Sequence, residues 1–221
     1  MALSERLIVM DVDSTFINQE VIDLLGEQAG VGGQMAAITA SAMRGELDFA
    51  ASLAERVALL RGLPADAFER VYREVTLTTG AQGLVDAAHA RGWKVGLVSG
   101  GFHEVVDRIA ADTGVDHWMA NRLEVAGGRL TGRTVGPVVT RERKLMTLLD
   151  WAAEDGVPVG GTIAIGDGAN DIPMIKAAGT GIAFCAKPAV RAAAPHALDV
   201  RDLGRVLPLV DGLDAVAPTL A

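Results

Sequence analysis

The sequence has 221 residues, of which 50% are hydrophobic and 22% charged, and its formal net charge at pH 7 is -8. A chain of this length and apolar content buries a sizeable core, which excludes a disordered protein. The basic residues are scattered and outnumbered by acidic ones, so we expect neither nucleic acid nor a membrane surface as a partner. The one cysteine, Cys185, excludes an internal disulfide, and the apolar run at 7–10 is too short for a signal sequence or a membrane span. We therefore expect a cytoplasmic protein.

The first apolar segment, LIVM at 7–10, is followed directly by two acidic residues, Asp11 and Asp13. An apolar run of this length predicts a buried strand, and the two carboxylates lie where that strand ends. Segments with apolar residues at three- and four-residue spacing come next, separated by glycines and a proline, and they predict a small helical bundle. These segments cover 18–29, 33–44, 47–61 and 64–75.

From Thr79 onward the pattern alternates between helices and strands. Such alternation predicts a parallel sheet wound with helices on both faces, where ligands bind beyond the carboxyl ends of the strands. The predicted fold class is therefore α/β, with a doubly wound core formed by residues 1–14 and 77–221 and a helical cap, residues 15–76, inserted above the strand ends. The predicted helices here are 80–91, 102–113, 140–155 and 170–178, and the strands are 93–99, 117–120, 162–166, 181–184 and 197–200, with a hairpin around 127–128.

Polar groups follow the predicted strands at their carboxyl ends. Ser99 precedes two glycines at the start of a helix, where a hydroxyl and free backbone N–H groups suit an anion. Asp167, Asn170 and Asp171 follow the strand at 162–166, and this group suits a cation. Lys144 lies early in the helix that precedes this strand.

Four carboxylates at one sheet edge repel one another unless a positive charge is bound among them. Two unit charges about 4 Å apart interact by about 4 kcal/mol at an effective dielectric constant of about 20. A hard cation such as Mg²⁺ resolves the conflict, because it binds one or two carboxylates and leaves positions for water and phosphate oxygens. The pattern therefore predicts a phosphate pocket in which one acid attacks phosphorus and the other moves protons.

These motifs, DVDST, SGGF, Lys144 and GDGANDIPM in this order, resemble those of the haloacid dehalogenase-like phosphatases. The DxDST form with SGGF is similar to the phosphoserine phosphatases within that family. The resemblance covers nearly the whole chain, and its motifs are specific in combination, although each alone is weak. It implies Mg²⁺-dependent hydrolysis of O-phospho-L-serine in serine biosynthesis.

The resemblance also implies a role for each matching residue. Asp11 would be the nucleophile that forms a phosphoaspartyl intermediate, and Asp13 the acid and base that serves the leaving oxygen and then the water. Asp11, the backbone carbonyl of Asp13 and Asp167 would hold Mg²⁺, with Asp171 orienting these ligands.

Four further residues would bind the phosphate region in such an enzyme. Ser99, the Gly100 N–H and Lys144 would bind the phosphoryl oxygens, which supplies the electrostatic stabilisation on which phosphoryl transfer mostly depends. Asn170 would contact the phosphate or its water network.

Four residues of the predicted cap match the family's substrate-selecting positions. Glu20 would receive the ammonium of phosphoserine, and Arg56 would bind its carboxylate with two parallel hydrogen bonds. Phe49, two turns before Arg56, would close an apolar lid together with Met43.

Plainer interpretations of single residues stay open. Lys144 is also consistent with a solvated helix lysine. Because Arg141 and Arg143 lie beside it, the match of Lys144 to the lysine of the family motif is the least secure of these assignments. Glu20 and Arg56 are also consistent with solvated helix charges, and apolar helix residues such as Met43 and Phe49 usually belong to a core.

Alternative functions include a phosphatase for another small metabolite such as phosphohomoserine, a phosphotransferase, and a receiver-like switch that also uses an acceptor aspartate. Asp13 argues against the switch and against a dehalogenase, because neither needs an acid two residues after the acceptor.

The sequence leaves a homodimer open. It also leaves open whether this chain is a minimal form or one trimmed of N-terminal regulatory domains.

Overall fold

The computed structural model describes residues 5–43, 46 and 48–216, without the side chains of Met43 and Val216. Its strands are β1 (Leu7–Met10), β2 (Lys94–Phe102), β3 (His117–Ala126), β4 (Arg129–Val135), β5 (Thr162–Gly166), β6 (Thr180–Phe184) and β7 (His196–Leu198). Its α-helices are α1 (Val21–Gln28), α2 (Gly32–Met43), α3 (Phe49–Leu59), α4 (Ala67–Glu74), α5 (Ala81–Ala90), α6 (His103–Thr113), α7 (Arg141–Glu154), α8 (Ile172–Ala177), α9 (Pro188–Ala193) and α10 (Val206–Val216).

The strands form one sheet in the order β4-β3-β2-β1-β5-β6-β7. All neighbouring pairs are parallel except β3 and β4, which form the predicted hairpin. Strand β1 lies at the centre, with β2 on one side and β5 on the other. The chain order reverses between β1 and β5, and such a reversal opens a crevice beyond the strand ends where ligands bind in open α/β sheets.

Strand β1 is buried on both faces, as its unbroken apolar sequence predicts. Its side chains alternate between two cores. Ile8 and Met10 pack into a core with residues of α5, α6 and α10, while Leu7 and Val9 pack with Trp151 and other residues of α7 and α8. The sheet therefore has helices on both faces, which confirms the predicted fold class.

Helices α1 to α4 are inserted between β1 and β2. The two connecting segments run side by side, because Ile17 and Leu77 form an antiparallel bridge and Thr78 N–H donates to the Phe16 carbonyl at 2.9 Å. The chain thus leaves and re-enters the core at one place. A boundary that separates a cap at 15–76 stays a prediction.

Several elements differ from the predicted ones. Strand β2 extends through both glycines to Phe102, and β3 continues to Ala126 as one arm of the hairpin. Helices α9 and α10 were not predicted. Helix α10 contains Pro208 and Gly212, and both residue types usually interrupt helices. Proline is tolerated in a first helical turn, and the buried Val206 and Val210 hold α10 on the core.

In the described part of the chain, none of the helices combines the length and apolar character of a membrane span.

Candidate active site

The crevice between β1 and β5 is lined by the residues that follow these strands. Asp11 follows β1, and a wide turn at Val12–Phe16 then carries the chain away from the sheet. Ser14 within this turn has φ +57°, a left-handed conformation that is uncommon for a residue with a side chain. Strained turns of this kind cluster at functional sites.

Asp11, Asp167 and Asp171 offer carboxylate oxygens that lie within 4.8 Å of one another. The close approach of Asp171 requires glycine at 166, because a Cβ there would lie 2.4 Å from the Asp171 carboxyl carbon. Thr15 donates its hydroxyl to Asp167 at 3.0 Å and so orients that carboxylate. Hard oxygen donors in this arrangement fit a hard divalent cation.

Lys144 is fully buried and lies at the centre of this group. Its Nζ is 2.7 Å from Asp11 Oδ1 and 2.7 Å from Asp171 Oδ1. Helix α7 begins at a cap in which the Thr140 hydroxyl accepts from the Arg143 N–H at 3.3 Å. Arg141 and Arg143 are exposed. Of these three basic residues, Lys144 is therefore the one that contacts the carboxylates.

The pKa values in this cluster shift because buried charges face one another. Burial raises the pKa of Asp11 well above its usual range, and the charge of Asp171 adds to this effect. Burial also raises the pKa of Asp167 to about 6, again with a contribution from Asp171. Burial acts to lower the pKa of Lys144, but its two carboxylate partners raise it above its ordinary value. The site therefore carries more negative charge than its one lysine balances.

Asp13 differs from Asp11 in its surroundings. It is 8% exposed, and its Oδ1 has no hydrogen-bond partner among the described residues. Burial raises its pKa well above the usual range, and the nearby charge of Glu20 adds to this. A Cβ at Gly101 would lie 2.8 Å from Asp13 Oδ2, so the glycine allows this carboxyl to approach β2. Among the described residues, Asp13 thus lacks the direct ion pair with Lys144 that Asp11 makes.

Ser99, Gly100 and Gly101 lie at the end of β2, beside Asp13. The buried Ser99 hydroxyl oxygen accepts from the Gly101 N–H at 2.7 Å, which leaves its own O–H free to donate. The side-chain Nδ2 of Asn170 also lies near Gly100, 3.9 Å from where a Cβ would be. The structure therefore brings Ser99, Gly100 and Asn170 together.

The predicted selecting residues of α1 and α3 face the same crevice. Phe49 contacts Gly100, since its Cζ lies 3.0 Å from the position of a Cβ there. Glu20 directly precedes α1, and its carboxylate accepts from the Ser14 hydroxyl at 2.7 Å and not from the helix N-terminus. Arg56 is half-buried; burial lowers its pKa, while the charges of Asp23, Glu20 and Asp13 act in the opposite direction. The side chain of Met43 lies outside the described residues.

Sequence reasoning missed one buried polar residue next to the site, Asn121. It is 2% exposed and its amide binds the Gly100 carbonyl at 2.8 Å. No motif marks it, because it lies within β3 among residues with no catalytic pattern. Its contact with Gly100 depends on the pairing of β2 with β3, which the sequence pattern does not contain.

Comparisons with known proteins identify the family of this chain. A family model described as haloacid dehalogenase-like hydrolase matches residues 8–176. The chain is 58% identical over 211 residues to the phosphoserine phosphatase of Streptococcus thermophilus (strain ATCC BAA-250 / LMG 18311), which is 96% of this chain and 98% of the relative. A solved phospho-aspartyl intermediate analogue of phosphoserine phosphatase is 41% identical with a TM-score of 0.89, over 94% of this chain and 99% of that one. A substrate-bound phosphoserine phosphatase complex is 40% identical, with the same TM-score and coverage. The chain therefore belongs to the haloacid dehalogenase-like hydrolase family.

Proposed function

We propose that this protein hydrolyses O-phospho-L-serine to L-serine and phosphate through an aspartyl phosphate on Asp11, the last step of serine biosynthesis. The relatives of high identity are named phosphoserine phosphatases, which supports the substrate. The observation that carries the mechanism is the contrast between two carboxyls at one strand end. Asp11 is ion-paired with Lys144 at 2.7 Å, whereas Asp13 is buried with Oδ1 free of partners among the described residues. One carboxyl is suited to attack and the other to donate a proton.

In the first step, an Asp11 carboxylate oxygen forms a bond to phosphorus and the bond from phosphorus to the serine oxygen breaks. The proton of Asp13 passes to that oxygen, so serine leaves as a neutral alcohol. In the second step, the Asp13 carboxylate takes a proton from water, and the water oxygen bonds to phosphorus. The bond to Asp11 breaks, phosphate leaves, and both carboxyls return to their starting states.

Mg²⁺ is the proposed cofactor, held by Asp11, the backbone carbonyl of Asp13 and Asp167. When bound, it would neutralise charge on the transferring group. Asp171 is better suited to orient the cluster than to bind the metal directly. Its Oδ1 accepts from Lys144 at 2.7 Å and its Oδ2 from the Gly168 N–H at 3.0 Å.

Phosphoryl oxygens would be bound by the Ser99 hydroxyl, the Gly100 N–H and Lys144. Asn170, whose Nδ2 lies near Gly100, would contact the phosphate or its water network. These donors are held before substrate arrives, and preorganised donors of this kind provide most of the stabilisation of developing charge. Lys144 already lies beside Asp11, so the same ammonium that pairs with the nucleophile would reach the phosphoryl group.

Substrate selection would use the charges of α1 and α3. Glu20 would bind the ammonium of phosphoserine and Arg56 its carboxylate, because the planar guanidinium matches a carboxylate with two parallel hydrogen bonds. Phe49 packs over Gly100 and would shield the phosphate from water, with Met43 as the second predicted lid residue. A substrate with both charges is preferred by this arrangement.

We propose that residues 15–76 form a cap that opens to admit substrate. The paired connections at Ile17 and Leu77 would act as the hinge. Hydrogen exchange with and without inorganic phosphate tests this, since closure slows exchange in segment 18–60. Unchanged exchange there would contradict a moving cap.

The proposed setting is the cytoplasm, with a small metabolite as the partner. The single cysteine needs no oxidising compartment. A homodimer is left open by these observations. Size-exclusion chromatography with light scattering distinguishes a monomer from a homodimer.

Phosphate release tests the proposed function directly. The panel contains O-phospho-L-serine, O-phospho-L-threonine, phosphohomoserine, phosphoethanolamine and glycerol phosphate, with Mg²⁺ or with chelator, and Asp11→Asn is the blank. A Mg²⁺-dependent preference for phosphoserine is expected. Preference for a phosphate without the amine or the carboxylate would keep the chemistry but remove Glu20 and Arg56 as selectors. No release from any ester would overturn the proposal in favour of a switch or a transferase.

A further inference from the structure

We propose that Asn121 is a positioning residue that holds the phosphate loop, defined as Ser99, Gly100 and Gly101, in the orientation that binds the phosphoryl group. This inference rests on the proposed function. Asn121 acts through the loop and not on the substrate itself.

The loop is a bulge in the pairing of β2 with β3. Val98 pairs with Met119, and the next aligned pair is Phe102 with Asn121. Three residues of β2 therefore lie opposite the single residue Ala120 of β3. A bulge of this kind leaves backbone groups without ladder partners, and buried backbone groups need partners from elsewhere.

Asn121 supplies a partner for the loop. Its Nδ2 donates to the Gly100 carbonyl at 2.8 Å, and its Oδ1 accepts from the Val139 N–H at 2.8 Å. Because one partner is a carbonyl and the other an N–H, only one orientation of the amide satisfies both bonds. The side chain is 2% exposed, so water does not replace it easily.

These bonds determine the direction of the peptide unit between Gly100 and Gly101. Its carbonyl is held by Asn121, and its N–H donates to the Ser99 hydroxyl oxygen at 2.7 Å. Ser99 is thereby kept as an acceptor from the backbone, with its O–H free for a phosphoryl oxygen. Glycine has little steric preference of its own, so a Gly-Gly peptide needs an external partner to stay in one orientation. Without Asn121, this carbonyl is free to turn toward the phosphate, where it would repel the phosphoryl oxygens.

The second bond of Asn121 connects the loop with the helix that carries Lys144. Val139 directly precedes Thr140, the residue that caps α7. One buried amide therefore links the loop that carries Ser99 with the start of the helix that carries Lys144. Both sets of phosphate-binding donors would share this support.

Two substitutions separate the contributions of the two bonds. Asn121→Ala removes both bonds. Asn121→Asp keeps an oxygen that accepts from the Val139 N–H. Its second carboxylate oxygen, when ionised, cannot donate to the Gly100 carbonyl and repels it. We expect both variants to lower kcat/KM by about 10- to 100-fold, the range typical for residues that orient catalytic groups. The loss should be equal for O-phospho-L-serine and p-nitrophenyl phosphate, and the affinity for inorganic phosphate should fall as well.

Thr162→Val is the matched control. The buried Thr162 hydroxyl also bridges two backbone groups, donating to the Val159 carbonyl at 2.7 Å and accepting from the Gly179 N–H at 3.3 Å. It lies at the start of β5, on the opposite edge of the sheet from the loop. We expect this variant to lower the unfolding midpoint while kcat/KM stays within about twofold of wild type.

Retention of wild-type kcat/KM by Asn121→Asp would overturn the proposal, and so would a loss in Asn121→Ala that only follows the folded fraction. The NMR signals of the Gly100 and Gly101 amides provide a readout without turnover, and they should shift in both Asn121 variants but not in Thr162→Val. Unshifted signals would also overturn it. If the wild type releases no phosphate from phosphoserine, the proposed function fails, whereas the role of Asn121 is still decided by these signals and by binding of inorganic phosphate.

Discussion

Strand β1 has charged residues at both of its ends, but the two groups of charges are built differently. At its start, Arg6 binds both carboxylate oxygens of Asp214 at 2.7 and 2.8 Å, and Arg91 binds Asp211 with the same distances. Both guanidinium groups also lie over the ring of Trp93, 5.2 and 5.1 Å from its centre. At the other end of β1, the carboxylates of the site share one buried lysine.

This difference supports the proposal that the carboxyl end of β1 performs the chemistry. At the start of β1, Arg6 and Arg91 each have their own anion and the pairs are partly exposed, so they fasten α10 to the core at little electrostatic cost. At the end of β1, negative charge is buried in excess, which opposes folding unless a cation or a proton is bound. Unbalanced buried charge is tolerated where a ligand supplies the missing charge.

The largest expected effect is that of Asp11→Asn. Because the amide cannot form the aspartyl phosphate, we expect turnover of phosphoserine to fall by about 10⁴-fold or more, the size of loss seen when a nucleophile is removed. The fold should stay intact by circular dichroism. Asp214→Asn, on α10 and paired with Arg6 at the start of β1, is the control and should keep wild-type turnover. Appreciable residual turnover in Asp11→Asn would exclude it as the nucleophile.

Arg56→Ala tests whether some charges of the site recognise substrate while others perform chemistry. Loss of a charged, hydrogen-bonded pair with the substrate carboxylate should lower kcat/KM for phosphoserine by about 100-fold. The loss for p-nitrophenyl phosphate, which has no carboxylate, should be small. Arg61→Ala, two residues after the end of α3, is a control for charge removal in the same segment. Equal losses on both substrates would remove Arg56 from the selection of substrate.

The excess negative charge of the site should be visible in the pH dependence of stability. The pKa of Asp167 rises from 3.8 to about 6 on burial. The folded protein therefore binds this proton more tightly than the unfolded chain does, and its contribution to stability is present below pH 3.8 and lost as the pH rises through about 6. At pH 7 without metal, Asp167→Asn should be more stable than wild type by about 3 kcal/mol in urea unfolding.

A bound cation should reverse this order, since Mg²⁺ stabilises the ionised Asp167 and not the amide. The measurement is a pair of urea curves, with chelator and with Mg²⁺, at pH 4 and pH 7. Near pH 4 the difference between wild type and Asp167→Asn should nearly vanish. Parallel stability profiles of the two proteins across this range would show that Asp167 does not carry the excess charge.

Much of the site was predictable because the carboxyl ends of parallel strands meet at one edge. Apolar runs at 7–10 and 162–166 identify the strands, and their chain order places Asp11 and Asp167 together. The helical insertion followed from apolar spacing alone. These predictions need only local periodicity and the rule for strand ends.

Other features depend on tertiary geometry that a linear pattern does not contain. Asn121 binds Gly100 and Val139, which lie 21 and 18 residues away, so its role is invisible without the bulge between β2 and β3. Lys144 was predicted beside phosphoryl oxygens, but its pairing with Asp11 and Asp171 depends on the rotation of α7. Helix α10 was missed because the burial of Val206 and Val210 outweighs the weak helix propensity of its proline and glycine.

The smallest expected effect belongs to the balanced end of β1. Arg91→Ala removes a two-bond pair with Asp211 and a stacking contact with Trp93, and we expect it to lower the free energy of unfolding by about 1 kcal/mol. Arg91→Lys is the sharper comparison, because an ammonium keeps the charge but provides neither the planar stack nor two parallel bonds. It should therefore recover only part of the loss in urea unfolding. Turnover should be unchanged in both variants, since Arg91 precedes β2 and lies at the opposite edge of the sheet from Asp11. A decrease in kcat for either variant would mean that the two ends of the strand are coupled, and the separation between a structural end and a chemical end would fail.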